Sequence, residues 1–169
     1  MANYKGHIVG GTVTGAIVVG SLNYLPSKDF LPSTQQVLND WHFSLGLLVL
    51  SVLFALWPDV DTNSKAQNLF YSIGFTLNIF LIISGEFVLS ALLGMLAMTP
   101  IVGKHRGWTH SKIAMILVPT PILAVSYLSG EHIGPAGLLT YIVAVSGYFS
   151  HLLLDGLINK RIKVKGGWR

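Results

Sequence analysis

Residues 42–62 read HFSLGLLVLSVLFALWPDVDT, a long apolar run that ends in two aspartates one residue apart. The run carries no charge before Asp59, and with its polar end it approaches the ~20 residues that a membrane-spanning helix needs. Two carboxylates directly after so apolar a run need an explanation. The stretch therefore predicts a membrane helix and raises the question of what its acidic end does.

The whole chain has the composition of a membrane protein. Of its 169 residues, 51% are hydrophobic and 11% are charged, and the mean hydropathy is +0.60, which is too apolar for an ordinary soluble domain. Apolar stretches follow one another at residues 8–25, 43–57, 69–85, 87–103, 113–130 and 137–158. We expect an all-α fold, a polytopic membrane bundle of about six helices, with residues 1–169 forming a single membrane-embedded domain.

The basic residues predict how this bundle is oriented. On a six-helix topology, only Lys28 falls on one side of the membrane, and the other basic residues share the opposite side. They are Lys5, Lys65, Lys104, Arg106, Lys112, Lys160, Arg161, Lys163, Lys165 and Arg169. By the positive-inside rule, we expect both termini in the cytoplasm. The basic tail at residues 159–169 is expected to attract anionic lipid headgroups, and we expect no nucleic-acid binding because membrane topology already explains these charges.

Seven residues of the types that bind metals gather on the predicted cytoplasmic side. They come from four separate stretches of the sequence and include every carboxylate on that side. The seven are His7, Asp59, Asp61, His105, His110, His151 and Asp155. The chain contains no cysteine, so a metal ion here would be bound by nitrogen and oxygen atoms. We interpret the group as a metal site because ionisable residues in a membrane domain are rarely without function.

Local spacing gives each stretch a way to contribute ligands. In HLLLD, His151 and Asp155 are four residues apart and share one face of a helix. In PDVD, alternating positions of an extended segment would point both carboxylates to the same side. In HRGWTHS, we expect Thr109 to cap the next helix, with His110 in its first turn. His7 begins the first helix, where several glycines permit close packing against a neighbour.

Each of these stretches has a simpler structural explanation when it is taken alone. A histidine near a membrane interface often contacts headgroups, and an aspartate after a helix is often a turn residue. A His/Asp pair one turn apart can form an intrahelical hydrogen bond. These explanations leave unexplained why seven such residues lie on one side of the membrane, so the joint arrangement favours a metal site.

The sequence contains an amino-terminal histidine followed in order by LFALWPDVDT, HRGWTHS and GYFSHLLLDGL. With these motifs in this order, the chain resembles the YdjM family of bacterial and archaeal inner-membrane proteins, for which a metal-dependent hydrolase activity is suspected. The resemblance runs from His7 to about Leu157. The family is distantly similar to zinc-dependent phospholipase C and related nucleases, helical enzymes in which clustered His and Asp residues hold several zinc ions. The resemblance implies that the seven residues are metal ligands or their immediate partners in an integral protein of the cytoplasmic membrane.

The number of ligands sets the expected chemistry. Seven nitrogen and oxygen ligands exceed what one tetrahedral zinc uses, so we expect two or three divalent ions, with zinc favoured and manganese or iron as alternatives. Asp59 or Asp61 is the expected general base, and Arg106 is expected to bind a phosphate oxygen. We expect a metal-dependent hydrolase similar to phospholipase C that cleaves a phosphoester of a lipid or lipid-linked substrate by a metal-activated water at the cytoplasmic membrane face.

Two other functions are compatible with the sequence. An ion or metal transporter could use the same histidines and aspartates. However, transport paths usually need ionisable residues on both sides of the membrane midplane. On the far side of this chain, the helices offer only Asn78 and scattered hydroxyls. In a non-catalytic membrane protein, the metal would stabilise the fold. Chelation would then unfold the protein, and no substrate would be turned over.

Overall fold

The computed structural model describes residues 3–24, 38–60, 65–98, 108–128 and 135–156, and within these ranges it contains helices and turns but no β-strand. The α-helices in these ranges are α1 (Tyr4–Tyr24), α2 (Trp41–Leu56), α3 (Lys65–Ile83), α4 (Phe87–Met98), α5 (Lys112–Leu117), α6 (Thr120–Leu128) and α7 (Pro135–Leu154). A 3₁₀-helical turn at Trp57–Asp59 follows α2, and a second one at Trp108–His110 precedes α5. The predicted all-α fold is confirmed for the described residues.

These helices match the six predicted apolar stretches, with one difference. The stretch at residues 113–130 is divided into α5 and α6 at Val118 and Pro119, because a proline inside a helix has no amide hydrogen to donate and its ring crowds the preceding turn. Two segments, Trp41–Asp59 and Ala136–Leu154, are long and apolar enough to cross a membrane. The prediction of about six membrane helices is thus supported in part, by two candidate spans in the described ranges.

Helices α1, α2 and α7 pack against one another and form the centre of the fold. They meet at Ser51, whose buried hydroxyl donates a hydrogen bond to the carbonyl of Gly11 at 2.7 Å. A Cβ on Gly147 would lie 2.9 Å from the Cα and carbonyl carbon of Ser51, and a Cβ on Gly11 would lie 2.8 Å from the Cβ of Ala55. Since a real Cβ atom essentially never comes within 3.0 Å of such a neighbour, these positions on α1 and α7 require glycine.

The apolar core lies beside this crossing and reaches the end of α2. Trp57 is fully buried, and its ring lies 5.6 Å from the ring of Tyr148 and 5.7 Å from that of Trp108. Its indole N–H donates to the carbonyl of Leu96 at 3.3 Å. Trp57 therefore connects the end of α2 to α4, to α7 and to the turn before α5, and it fixes the segment that carries Asp59.

Helices α3 and α4 form a hairpin on the outside of the bundle. Residues 84–86 join them, with Gly85 in the left-handed region at a φ of 79°, where glycine is favoured at a helix end. The outer face of the hairpin exposes large apolar side chains, including Phe75, Phe80, Ile83 and Phe87. An exposed apolar face of this kind suits contact with lipid.

Candidate metal centre

Three helix ends and one turn meet at one end of the central bundle, and the glycine contacts bring the three helices together. The start of α1, the end of α2, the turn before α5 and the end of α7 all contribute. His7 lies one turn before Gly11, and His151 lies one turn after Gly147. Because residues four apart share a helix face, the close crossing of the three helices directs His7 and His151 toward each other.

Five of the seven predicted ligands lie together at this point. Nε2 of His7 is 3.5 Å from Oδ1 of Asp155 and 3.7 Å from Oδ2 of Asp59. Nε2 of His110 is 3.4 Å from Oδ1 of Asp59. Nε2 of His151 is 3.7 Å from that same oxygen and 3.8 Å from Oδ2 of Asp155. We call these five residues the His/Asp group.

The remaining predicted site residues lie outside the described residues. They are Asp61, His105 and Arg106, and the basic tail at residues 159–169 lies outside as well. Their predicted roles as ligands, general base, phosphate-binding residue and headgroup contact stay predictions, as does the cytoplasmic location of both termini.

The His/Asp group is buried, with one exception. The exposed fraction of the side chain is 1% for His7, 0% for His151, 3% for Asp155 and 5% for His110, but 27% for Asp59. Buried carboxylates are costly unless positive charge or hydrogen bonds compensate them. The group is therefore open to water at Asp59, and a cation held in its interior would compensate the charge of its carboxylates.

The orientation of His151 leaves a lone pair directed into the group. Its Nδ1 lies 2.8 Å from the backbone carbonyl of Ala55, which can only accept, so Nδ1 carries a hydrogen and Nε2 of the neutral ring does not. Nε2 faces Nε2 of His110 at 3.4 Å and the carboxylates of Asp59 and Asp155. Metal-binding histidines commonly donate their other ring N–H to a carbonyl in this way.

His7 is the member of the group whose hydrogen-bonding capacity is least satisfied among the described residues. Both of its ring nitrogens are buried and have no hydrogen-bond partner among the described residues. Its ring stacks on that of His151, with centroids 4.0 Å apart and an angle of 20° between the planes. Leaving a buried polar atom unpaired costs about 1–3 kcal/mol, and a metal ion at Nε2 would remove that cost.

The spacing of the ligand atoms fits metal ions better than hydrogen bonds. Metal–ligand bonds of ~2.0–2.1 Å in tetrahedral geometry separate the ligand atoms by about 3.4 Å. The separations here are 3.4–3.8 Å, longer than the ~2.7–3.2 Å of a typical hydrogen bond. Two sets of three residues that share His151 could each hold an ion, one with His7 and Asp155 and one with Asp59 and His110. The donor set thus fits divalent ions bound by nitrogen and oxygen.

The segment before α5 differs from the prediction. Ser111, not Thr109, caps α5, and its hydroxyl accepts from the backbone N–H of Ala114 at 3.0 Å. The hydroxyl of Thr109 lies 3.1 Å from Nδ1 of His110, and its carbonyl accepts a hydrogen bond from the Tyr148 hydroxyl. Because Thr109 is occupied by these contacts, His110 lies in the 3₁₀ turn before the helix. Tyr148, which sequence reasoning missed, thereby anchors this turn to α7.

Of the two predictions about the segments that carry Asp59 and Asp155, one is wrong and one is confirmed. After α2 the backbone stays helical through Val60, with φ −71° and ψ −17°, so this part of PDVD is not extended. His151 and Asp155 do share one face, as their four-residue spacing predicts. Helix α7 ends at Leu154 instead of residue 158, because Gly156 takes a left-handed conformation with a φ of 67°.

The fold and the site define a class: an all-α protein with two candidate membrane spans and a buried His/Asp group suited to binding metal. Comparison with known families makes this class specific. The family model described as YdjM inner membrane protein matches residues 1–164, and the chain belongs to that family. The family predicted from the four ordered motifs is therefore confirmed. No curated protein and no solved structure matches the chain.

Proposed function

We propose that this protein is a metal-dependent hydrolase of the inner membrane that cleaves a phosphoester of a lipid or lipid-linked substrate. The observation that carries the proposal is the His/Asp group, in which three histidines and Asp155 are buried at ligand spacing and Asp59 is partly exposed. A merely structural polar contact would be expected to form hydrogen bonds, and His7 forms none with the described residues.

The positions of the carboxylate oxygens suggest how two ions would be shared. Oδ2 of Asp59 faces His7, and its Oδ1 faces His110 and His151. His7 and Asp155 would hold one ion, and His110 and His151 would hold the second, since a single lone pair on His151 serves only one ion; Asp59 lies within reach of both pairs. Zinc suits this set of nitrogen and oxygen donors, with manganese or iron as alternatives.

The chain's own residues divide the remaining work. Divalent ions held here would supply an activated water and stabilise the attacking and leaving oxygens at phosphorus. Asp59 faces three histidines, so we assign it to the metal and assign the general base to Asp61. Arg106 is proposed to bind a phosphate oxygen through its guanidinium. The assignments of Asp61 and Arg106 rest on the sequence.

The level of the site relative to the candidate spans supports a lipid substrate. One span ends at Asp59 and the other at Leu154, next to Asp155. The His/Asp group therefore lies where both apolar segments end, which is the level of the lipid headgroups. Phosphoester bonds of lipids are found at this level, so a substrate could reach the site from the bilayer.

The first test is the metal content of detergent-purified protein, measured by plasma mass spectrometry. Wild type is compared with Asp59→Ala and His151→Ala, and with His42→Ala as the matched control, because His42 lies at the opposite end of α2 with 71% of its side chain exposed. We expect about two ions per chain in wild type and control and loss of metal in the two site variants.

Activity is tested on the same four proteins with lipid phosphoesters and with the soluble substrate bis(p-nitrophenyl) phosphate. We expect turnover by wild type and His42→Ala, loss on chelation and recovery when zinc is added back. A wild type that is free of metal after gentle purification and does not melt at a higher temperature with added metal would overturn the proposal in favour of ion transport. Metal that is needed for folding, without turnover of any phosphoester, would favour a structural role.

A further inference from the structure

We infer that the groove between α4 and the α5–α6 pair, here called the α4 groove, binds one hydrocarbon chain of the lipid substrate. This inference rests on the proposed function and specifies which part of the substrate the fold recognises away from the metal. The headgroup phosphate would then lie at the His/Asp group, while the chain lies along the protein surface within the bilayer.

The α4 groove has a purely apolar character among the residues described. Its volume is about 270 Å³. The described residues that line it are Leu92, Met95, Leu96, Trp108, Leu117, Val118 and Pro121. None of these carries an ionisable group, so the groove offers a charged headgroup no counter-charge and suits a hydrocarbon segment.

One residue that lines the groove lies close in sequence to the His/Asp group. Trp108 lines the groove and lies two residues before His110. Its ring meets the ring of Trp57 edge-to-face, with centroids 5.7 Å apart, and Trp57 lies two residues before Asp59. A chain in the groove would therefore extend from the side of the site formed by His110 and Asp59, the exposed member of the group.

The size of the groove distinguishes a lipid chain from a partner helix. One turn of helix with its side chains is about 5.4 Å long and about 10 Å wide, so it fills roughly 400 Å³, more than the groove holds. Whole ligands also usually need pockets of about 300 Å³ or more. A single chain segment fits, and in an inner-membrane protein such chains surround the apolar surface.

A second, larger groove lacks these features. It has a volume of about 580 Å³ and lies between α3 and α4, where Asn68, Ser72 and Asn78 contribute polar groups to its lining. No described residue within two positions of the His/Asp group lines it, whereas Trp108 lines the α4 groove. Its polar lining and its separation from the site make it a poor position for the chain of a substrate whose phosphate is at the metal centre.

The test fills the α4 groove without disturbing the core. Met95 lines the groove and is 66% exposed, so Met95→Trp adds bulk in the groove with little strain on the bundle. Met98→Trp is the matched control, since Met98 is 67% exposed on the same helix and does not line the groove. Native mass spectrometry with dioleoyl phosphatidylglycerol counts the lipid retained per chain. Kinetics are measured on this lipid and on bis(p-nitrophenyl) phosphate.

We expect wild type and Met98→Trp to retain one lipid per chain and Met95→Trp to lose it. The KM for the lipid should rise about tenfold in Met95→Trp, as expected when roughly two methylenes lose their apolar site, with kcat on the soluble substrate unchanged. Equal lipid retention and equal KM in the two variants would overturn the inference while turnover still supports the proposed function. Lipid loss in Met95→Trp alone, with no turnover by any protein, would support chain binding and overturn the hydrolase.

Discussion

Histidine and aspartate side chains lie close together at both ends of α2, but the two contacts differ in geometry. At the exposed end, Oδ1 of Asp40 accepts from the backbone N–H of His42 at 2.9 Å and lies 3.2 Å from its Nδ1. At the buried end, His7 stays 3.5 Å from Asp155 and 3.7 Å from Asp59 and forms no hydrogen bond with the described residues. Histidine and aspartate therefore lie at hydrogen-bond distance where they are exposed, and at the longer spacing of metal ligands where they are buried.

The difference arises from how each pair is held. Asp40 and His42 are two residues apart and more than half exposed, so local rotation alone brings them together. The buried residues belong to separate helices, whose separation is set by the contacts of Gly11 and Gly147 with α2. Helix packing, and not residue chemistry, therefore makes one end of α2 a candidate metal centre and the other a helix cap.

The largest expected effect comes from Gly147→Ala, which would remove the packing that holds the buried end together. The added Cβ meets the backbone of Ser51, which cannot move aside as a side chain could, so we expect about 3 kcal/mol of destabilisation and loss of bound metal. Thermal unfolding in detergent and metal content measure both. Gly46→Ala is the control, because a Cβ there meets nothing within 4 Å; equal melting temperatures for the two variants would contradict this packing.

Metal removal should have the next largest effect, and it should act on the buried end alone. With free metal 100-fold above its dissociation constant, binding stabilises the fold by about 2.7 kcal/mol, so a chelator should lower the melting temperature of wild type and of His42→Ala. Asp155→Asn, which removes one buried carboxylate, should melt at the same temperature with and without chelator. A chelator that leaves wild-type melting unchanged would count against a bound metal.

A smaller effect is expected from Tyr148→Phe, because this change loosens only one of the proposed ligands, His110. The hydroxyl of Tyr148 holds the carbonyl of Thr109, next to His110, and loss of such a supporting contact typically weakens metal binding about 10–100-fold. Competition with a chelator measures the affinity. Tyr141→Phe is the control, because its hydroxyl donates to the carbonyl of Ile116 away from the site; matching affinities in the two variants would remove Tyr148 from the positioning role.

The smallest effect belongs to the exposed end. The hydrogen bond from the His42 backbone N–H holds the pKa of Asp40 below its ordinary value of 3.8. A lowered folded-state pKa means that the stabilisation by Asp40 is complete above pH 3.8 and is lost as the pH falls through the lowered pKa. Asp40→Ala should therefore melt slightly below wild type at neutral pH, and the gap should close in acid. A gap that widens in acid would reverse this sign.

Sequence reasoning succeeded where the signal was local. The apolar stretches predicted the helical segments, and the four-residue spacing of His151 and Asp155 predicted their common face, because helix periodicity fixes which residues can meet. The glycines near His7 predicted a close helix contact, which Gly11 makes with Ser51 and Ala55. Residue type and spacing were sufficient for each of these features.

Features set by distant parts of the chain were not predictable in this way. The carbonyl of Ala55 orients His151, but an alanine gives no sequence signal for such a role. The hydrogen bond from Tyr148 to Thr109 depends on how α7 packs against the turn before α5. The division of the fifth stretch was visible in Pro119, yet hydropathy alone treats residues 113–130 as one run.

The stacked rings of His7 and His151 have a consequence for how the protein is made. One ring belongs to α1 and the other to α7, so all the residues between His7 and His151 must be translated before the two rings can meet. At roughly 5–20 residues per second, this delay is on the order of 10 to 30 s. During that interval the imidazole of His7 has no stacking partner, and the candidate metal site cannot form until Asp155 has been added to the chain.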